Sequence, residues 1–573
     1  MRRLFALLTL VFASSAHAER PNVLVVITDD QGFGDLGVHG NPVLKTPTLD
    51  AFAKESVWLK NFTVSPVCSP TRSALLTGQY NYRTGVVDTF IGRSLMRPDV
   101  PTLPEQLATA GYRTGLFGKW HLGDNYPLRP EDRGFGTTLW SHGGGLAQPS
   151  DHPDLDPKTA YFDPILTRNG KEVKTKGYCT DVFTDAAVEF LTADPSKPFF
   201  AYVAYNAPHG PFQVPDADAA PYRKLDLSAA AFPKVGQPWT GPKTNTQDIA
   251  AAYGMIANLD ANFGRLLKAL DEKKLAENTV VIFLTDNGPG GTRFNSGLRN
   301  RKGTVYEGGL RVPCYVRWPK NFPAGHAVDV PTAHIDVTPT LLALAEAKPV
   351  GPVDGRDLSP LLRDEKAEWP GRTIFSQWHR GDAPEKYRAF SARGPRYKLV
   401  QAAGVQPGDK WQPKYELFDI PADPFEQTDL AAKLPDEVAK LKAEYEAWFA
   451  DVTKKGFDPV RSYIGSEKAP FVRLTRQDWR GEKAGWTPDS VGQWEVFVER
   501  AGAYEFTLRS KSDFTGGGLA VGEQAAGFGG PAVQRSRSVT LELPRGNATL
   551  KPRVMLKEKV WGPEYLEVTY KGK

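Results

Sequence analysis

Between Pro21 and about Ala347 the chain alternates two hydrophobic rhythms. Asn22–Thr28 (NVLVVIT) is an unbroken apolar run, the pattern of a parallel strand covered on both faces. Asn278–Thr285 and Pro198–Ala204 share that character, whereas Leu103–Ala110, Val182–Leu191 and Asp248–Lys274 space their apolar residues at helical intervals. The alternation predicts an α/β domain over 19–347, a large and mostly parallel sheet flanked by helices. A second region, 348–455, carries shorter strand patterns (Arg372–Gln377, Tyr397–Val400) and closes on an amphipathic helix over Asp436–Val452, as a smaller α+β subdomain would. From 456 to 573 the period falls to two. Trp494–Val498, Tyr504–Leu508, Val539–Leu543 and Tyr565–Thr569 alternate, with Gly516-Gly517-Gly518 read as a turn. This predicts an all-β, sandwich-like accessory domain.

The first residues have a different style. Arg2 and Arg3 precede the apolar run Leu4–Ala13, and Ala16-His17-Ala18 supplies small residues for cleavage. Residues 1–18 therefore read as a signal peptide, too short in its apolar part to cross a bilayer as a helix. No later stretch approaches about 20 apolar residues, so no membrane span is expected, and the mature protein is expected in the periplasm or the medium. The net charge of +5, two units of it from Arg2 and Arg3, is too small in 573 residues to argue for nucleic acid. There are only three cysteines, Cys68, Cys179 and Cys314. In an exported protein an odd number leaves at least one unpaired.

Two of the buried strand patterns end in matched polar pairs, Asp29-Asp30 and Asp286-Asn287. In open α/β sheets, sites form at the carboxyl ends of strands. Three carboxylates and an amide oxygen there suit a hard cation such as Ca²⁺, although an Asp after a strand also serves as a turn former or helix cap. Cys68 reads as a cysteine in a turn before a helix, with Arg72 near enough to polarise it. An inert thiol or a disulfide with Cys179 or Cys314 is the plain alternative.

The stretch Cys68-Ser69-Pro70-Thr71-Arg72, running on to Leu76-Thr77-Gly78, resembles the signature of the sulfatase family, which a maturation enzyme reads when it oxidises the cysteine to formylglycine. The resemblance continues in order from about 20 to 450. Asn22–Gly37 is similar to the family's opening strand and metal loop, and Gly111–Gly123 to its segment with an active-site lysine and histidine, here Lys119 and His121. Asn206–His209 resembles the segment supplying another histidine, Asp286-Asn287-Gly288 the second metal pair, and Arg301–Pro313 the segment with a second lysine, Lys302. Asp354–Leu358 and Tyr415–Asp419 resemble landmarks of the C-terminal subdomain.

The resemblance implies an alkaline-phosphatase-like fold and hydrolysis of a sulfated small molecule or glycan. It assigns a metal, Ca²⁺ with Mg²⁺ as the alternative, to Asp29, Asp30, Asp286 and Asn287. It assigns charge stabilisation to Lys119 and Lys302, help to the attacking hydroxyl to the metal and Arg72, protonation of the leaving oxygen to His209 with Lys302, and to His121 the removal of a proton from the second hydroxyl of the hydrated aldehyde, which expels sulfate. Ser141 and His142 lie near a position that some relatives use for substrate, and Trp378 and His379 follow a short strand pattern; these four are the weaker substrate-binding candidates. Phosphonate monoester and phosphodiester hydrolases of the same superfamily share the cysteine motif and metal pairs, so they are the neighbouring alternative. A glycan-binding protein with an inactive core is the alternative from another class.

Overall fold

The computed structural model describes residues 20–237, 245–556 and 558–572; the expected leader, 1–18, lies outside them. Ten strands build the central sheet: β1 (Asn22–Thr28), β2 (Val57–Leu59), β3 (Arg113–Lys119), β4 (Thr137–Ser141), β5 (Ile165–Arg168), β6 (Lys171–Lys174), β7 (Phe199–Ala204), β8 (Thr279–Thr285), β9 (Cys314–Arg317) and β10 (Ala327–Val328). Their spatial order is β10-β2-β9-β8-β1-β7-β3-β4-β5-β6. The five middle strands, β8 to β4, are parallel throughout, and antiparallel pairings enter on either side at β9 and β5.

The unbroken apolar runs follow from burial on both faces. Val23, Val25 and Ile27 of β1 pack toward helices α1 (Cys68–Thr77), α2 (Leu103–Thr109) and α3 (Val337–Leu344). Leu24 and Val26 pack on the opposite face toward α4 (Pro47–Lys54), α5 (Cys179–Ala193) and α6 (Thr246–Glu272). Truncating a fully buried Leu such as Leu24 to Ala in such a layer costs about 2–5 kcal/mol. The start of α2 is set locally: Thr102 accepts from Glu105 N–H, and the Glu105 carboxylate accepts from Thr102 N–H in return.

The second region forms a four-stranded antiparallel sheet of β11 (Ile374–Gln377), β12 (Phe390–Arg393), β13 (Tyr397–Gln401) and β14 (Glu416–Asp419), covered by α7 (Pro435–Thr453). The last region is one all-β sheet. Two 20-residue strands, β15 (Gly502–Val521) and β16 (Gln524–Leu543), run side by side, and the other edge of β15 changes partner along its length. Its first half pairs with β18 (Tyr565–Gly572) and its second half with β17 (Gly546–Leu556), with register irregularities between. The sheet is thereby bent into two leaves around a shared core that includes Leu474, Val496, Phe506, Leu519 and Val568.

Gly516–Gly518 are therefore not a turn but the middle of β15. A Cβ on Gly517 would lie 2.3 Å from the Arg553 carbonyl oxygen, and one on Gly518 2.5 Å from that of Ala526. Three backbones crowd there, and glycine fits where no side chain can. Among the described residues no helix is long and apolar enough to cross a membrane.

Candidate active site

Five parallel strands point their carboxyl ends at one place, and the polar residues that follow them converge there. β1 delivers Asp29 and Asp30, β8 Asp286 and Asn287, β3 ends in Lys119 with His121 two residues on, and the segment after β7 brings His209. Helix α1, buried along its whole length, begins at Cys68, so the cysteine is the first helical residue and not part of a preceding turn. All three cysteines are free and buried.

Charge is packed densely around the Cys68 thiol. It donates to Asp29 Oδ1 at 3.4 Å and receives Lys302 Nζ at 3.3 Å. Lys119 Nζ pairs with Asp29 Oδ2 and Lys302 Nζ with Asp30 Oδ1, each at 2.5 Å. One ligand atom each from Asp29, Asp30, Cys68 and Asp286 lies within 4.8 Å of the others. Asn287 turns its amide nitrogen to Asp30 Oδ1 at 2.8 Å, and its own Oδ1, fully buried, has no hydrogen-bond partner. A buried carbonyl oxygen left unsatisfied among three carboxylates fits a hard cation, which would take all four residues as ligands.

Arg72 does not reach for the thiol. Its Nε and Nη2 both donate to Asp286 Oδ2, at 3.1 and 2.9 Å, and Nη1 donates to the Lys119 carbonyl at 3.1 Å. The guanidinium is fully buried and spent on orienting the Asp286 carboxylate. Burial and the neighbouring Asp29 charge push the Asp286 carboxyl up to about 6. Burial acts against the charge of Asp30 as well, but Lys302 and His209 outweigh it and hold that carboxyl well below the ordinary range. The Cys68 thiol is pushed up to about 12, chiefly by burial and then by Asp29.

The histidines are fixed by backbone oxygens. His121 Nε2 donates to the Thr89 carbonyl at 2.7 Å. A carbonyl only accepts, so in the neutral ring Nδ1 carries the lone pair; it is buried without a partner. Burial first and Lys119 second keep His121 well below the ordinary histidine range. His209 Nδ1 donates to Gly210 O at 2.6 Å and leaves Nε2 3.9 Å from Asp30 Oδ2. Burial lowers His209 to about 4, with Asp30 opposing and Lys302 assisting.

The sulfatase family model matches residues 21–347, more than half of the chain and all of the strands that form this site. This chain is a sulfatase. A second family model, the N-sulphoglucosamine sulphohydrolase C-terminal region, matches 299–454. Arylsulfatase A of Bos taurus is 31% identical over 515 residues, covering 82% of this chain and 94% of the relative. Arylsulfatase J of Mus musculus is 31% identical over 478 residues, 75% of this chain and 76% of the relative. Among solved structures, Ps i-CgsB in complex with k-i-k-neocarrahexaose is 29% identical with a TM-score of 0.64, covering 77% of this chain and 95% of that one. The sulfatase is thus a sulfuric ester hydrolase with an alkaline-phosphatase-like core, and its family implies a divalent metal and formylglycine.

The weaker candidates fall differently in the sulfatase. Ser141, beside Lys119 on the next strand, donates to Asn206 Oδ1 at 3.2 Å. His142 lies tilted against Trp140, ring centroids 4.5 Å apart, and is bonded to Thr167 Oγ1 at 2.9 Å. Past it, Gly144 and Gly145 meet the histidines: a Cβ on Gly144 would lie 2.6 Å from His121 Cε1, and one on Gly145 3.0 Å from His209 Cε1. Trp378 Nε1 donates to Asp88 at 3.0 Å, and its ring lies against Gly303, next to Lys302. His379 has both ring nitrogens occupied, by Arg380 O and Glu385 N–H, so it organises a turn. Sequence reasoning missed Thr89, the two glycines, and Gln477 of the all-β region, whose amide donates to the same Thr89 oxygen at 2.9 Å.

Proposed function

We propose that this sulfatase removes sulfate from carbohydrate esters, using Cys68 converted to formylglycine and a divalent cation at Asp29, Asp30, Asp286 and Asn287. The observation that carries the reading is the position of Cys68 at the head of α1, in contact with Asp29 and Lys302 and within one ligand cluster with the metal-side carboxylates. All-oxygen ligands favour Ca²⁺ over softer ions, with Mg²⁺ as the competitor. A carbohydrate ester is supported by the oligosaccharide in the Ps i-CgsB complex.

When bound, the cation supplies Lewis-acid polarisation of sulfate oxygens, and the hydrated formylglycine supplies the attacking hydroxyl. Lys119 and Lys302 fix positive charge where negative charge grows in the transition state. Arg72 keeps Asp286 aimed into the cluster. His121, neutral with its Nδ1 lone pair free, is the base for the second hydroxyl, which a serine or cysteine would lack. His209 and Lys302 serve the leaving oxygen; the anionic substrate adds negative charge that favours a protonated His209. We take 19–347 as the catalytic domain, 348–455 as its subdomain and 456–573 as an accessory domain, with export to the periplasm or medium by the leader at 1–18.

The test is the mass of the Cys68 peptide together with turnover. Conversion of cysteine to formylglycine lowers the mass by about 18 Da, and the converted protein is expected to release 4-nitrophenol from its sulfate ester faster than from its phosphonate ester. A plain thiol at position 68 in active protein, or a phosphonate preference, would sink the reading.

A further inference from the structure

A cavity of about 560 Å³ lies beside the cluster, on the loop that follows β8. Gly291 and Arg301 line it, and their neighbours belong to the sulfate site. Gly290 N–H donates to the Asp30 carbonyl at 3.2 Å, and a Cβ on Gly290 would lie 2.3 Å from Asp30 Oδ2. Arg301 directly precedes Lys302, whose ammonium is on Asp30. The cavity is therefore lined by the chain neighbours of residues that touch the sulfate site.

The lining is one-sided in charge. Among the described residues no Asp or Glu lines it, whereas Lys234, Arg293, Arg299 and Arg301 do. Two of these cations are already satisfied, Arg293 by Asp35 and Arg299 by Glu416. The side chains of Arg301 and Lys234 have no ion-pair or hydrogen-bonding partner among the described residues. Asp248 borders a second cavity of about 170 Å³ that Arg301 also lines, but the two make no ion pair. Thr292 and Asn300 add groups of the kind that bind sugar hydroxyls.

We propose that this cavity binds a second anionic group of the substrate, a sulfate or carboxylate on the sugar adjoining the one that is cleaved. Arg301 is its main contact through the planar guanidinium fork, and Lys234 is a secondary point charge. The natural substrate is then a polyanionic glycan and not a singly sulfated small molecule. The inference rests on the sulfatase reading above, and adds what that site reads next to the bond it breaks.

The experiment compares three disaccharides that share one scissile sulfate: one with a neutral neighbour, one with a sulfated neighbour and one with a uronic acid neighbour. In the wild-type protein, with formylglycine verified by mass, kcat/KM for at least one charged disaccharide should exceed the neutral one by about tenfold or more, mainly through KM. The sulfated and uronic acid arms tell which anion is meant. Arg301→Ala should collapse that ratio toward one, Lys234→Ala should reduce it less, and Arg301→Lys should restore only part of it. A wild-type ratio near one, or a ratio that survives Arg301→Ala, overturns the proposal. If the verified protein hydrolyses none of the three, the sulfate-ester reading has failed instead. Calorimetric binding of the two charged disaccharides then decides the cavity alone: about tenfold weaker binding in Arg301→Ala supports it, and equal or absent binding overturns it.

Discussion

Asp29, Asp30 and Asp286 are each held by a cation a few ångströms away, whereas His121 and His209 each lean on a single backbone carbonyl in a loop. On the metal side every carboxylate has a fixed partner: Lys119 for Asp29, Lys302 for Asp30, Arg72 for Asp286. Those partners sit on the sheet, on α1 and on the loop behind β8, so the geometry is over-determined before any cation arrives. On the histidine side, Thr89 O takes His121 Nε2 and also the amide of Gln477, from a region outside both family models. Gly92 N–H donates to the Gln477 carbonyl at 2.9 Å, and Arg480 donates to Gly92 O. One half is built from neighbours and tolerates little loss of charge. The other is assembled from distant loops and can be loosened by degrees.

Removing a charge from the metal side should have the largest effect. On the proposed mechanism Lys119→Ala takes away transition-state stabilisation and is expected to lower kcat by about 10²–10³-fold. It also leaves Asp29 buried without its cation, so the metal-free protein should lose thermal stability that added Ca²⁺ partly restores. Steady-state turnover and unfolding with and without Ca²⁺ check both. A kcat loss under about tenfold, or no Ca²⁺ rescue, would break the contrast between the two halves.

Loosening the histidine side should cost less. Gln477→Ala is expected to lower kcat by about tenfold, a fraction of what a lost general base costs, with Cys68 still fully converted. Its pH profile is the sharper readout. Burial keeps His121 well below the ordinary histidine range, so the acid limb of kcat should lie low in the wild type. Water admitted by the slack Thr89 segment should move that limb upward, toward the ordinary value near 6.5. A uniform loss of activity with an unmoved limb would make Gln477 structural only.

The contrast also explains what was legible in the sequence. Asp29-Asp30 and Asp286-Asn287 end apolar runs, so strand ends and topology bring them together without any knowledge of loops. Arg72 was legible as a residue but not as a partner, because Asp286 is 214 positions away. Trp378 and His379 follow a strand, but β11 belongs to a separate antiparallel sheet, so the strand-end rule of the central sheet does not place them; only the Trp378 ring, against Gly303 next to Lys302, comes near the site. Thr89 acts through its backbone oxygen, which any residue carries. Gln477 sits in a loop with no motif, and only the docking of the all-β region gives it a task. Gly516–Gly518 failed for a related reason: glycine marks a turn or a crowded backbone, and the local pattern does not say which.

The smallest expected effect tests whether the brace itself is as well compensated as the metal side. Asp478, next to Gln477, is buried, and its Oδ2 has no hydrogen-bond partner. Burial foremost, then the nearby Asp124 charge, raises its carboxyl well above the ordinary range, against a weaker pull from Arg480. The fold thus favours the protonated form. Its contribution to stability is intact below the unfolded value near 3.8 and is lost as pH rises through the raised folded value. Asp478→Asn keeps the shape and stays neutral. It should match the wild type near pH 4 and gain about 1–2 kcal/mol of stability near pH 8, in thermal or denaturant unfolding followed across that range. The same substitution should leave Ca²⁺ stabilisation untouched, because Asp478 belongs to the brace and not to the cation cluster. If Asp478→Asn gains nothing at pH 8, the carboxylate has found a partner in solution and the brace is as well balanced as the metal side. If it gains at every pH alike, the benefit comes from packing and not from a buried charge.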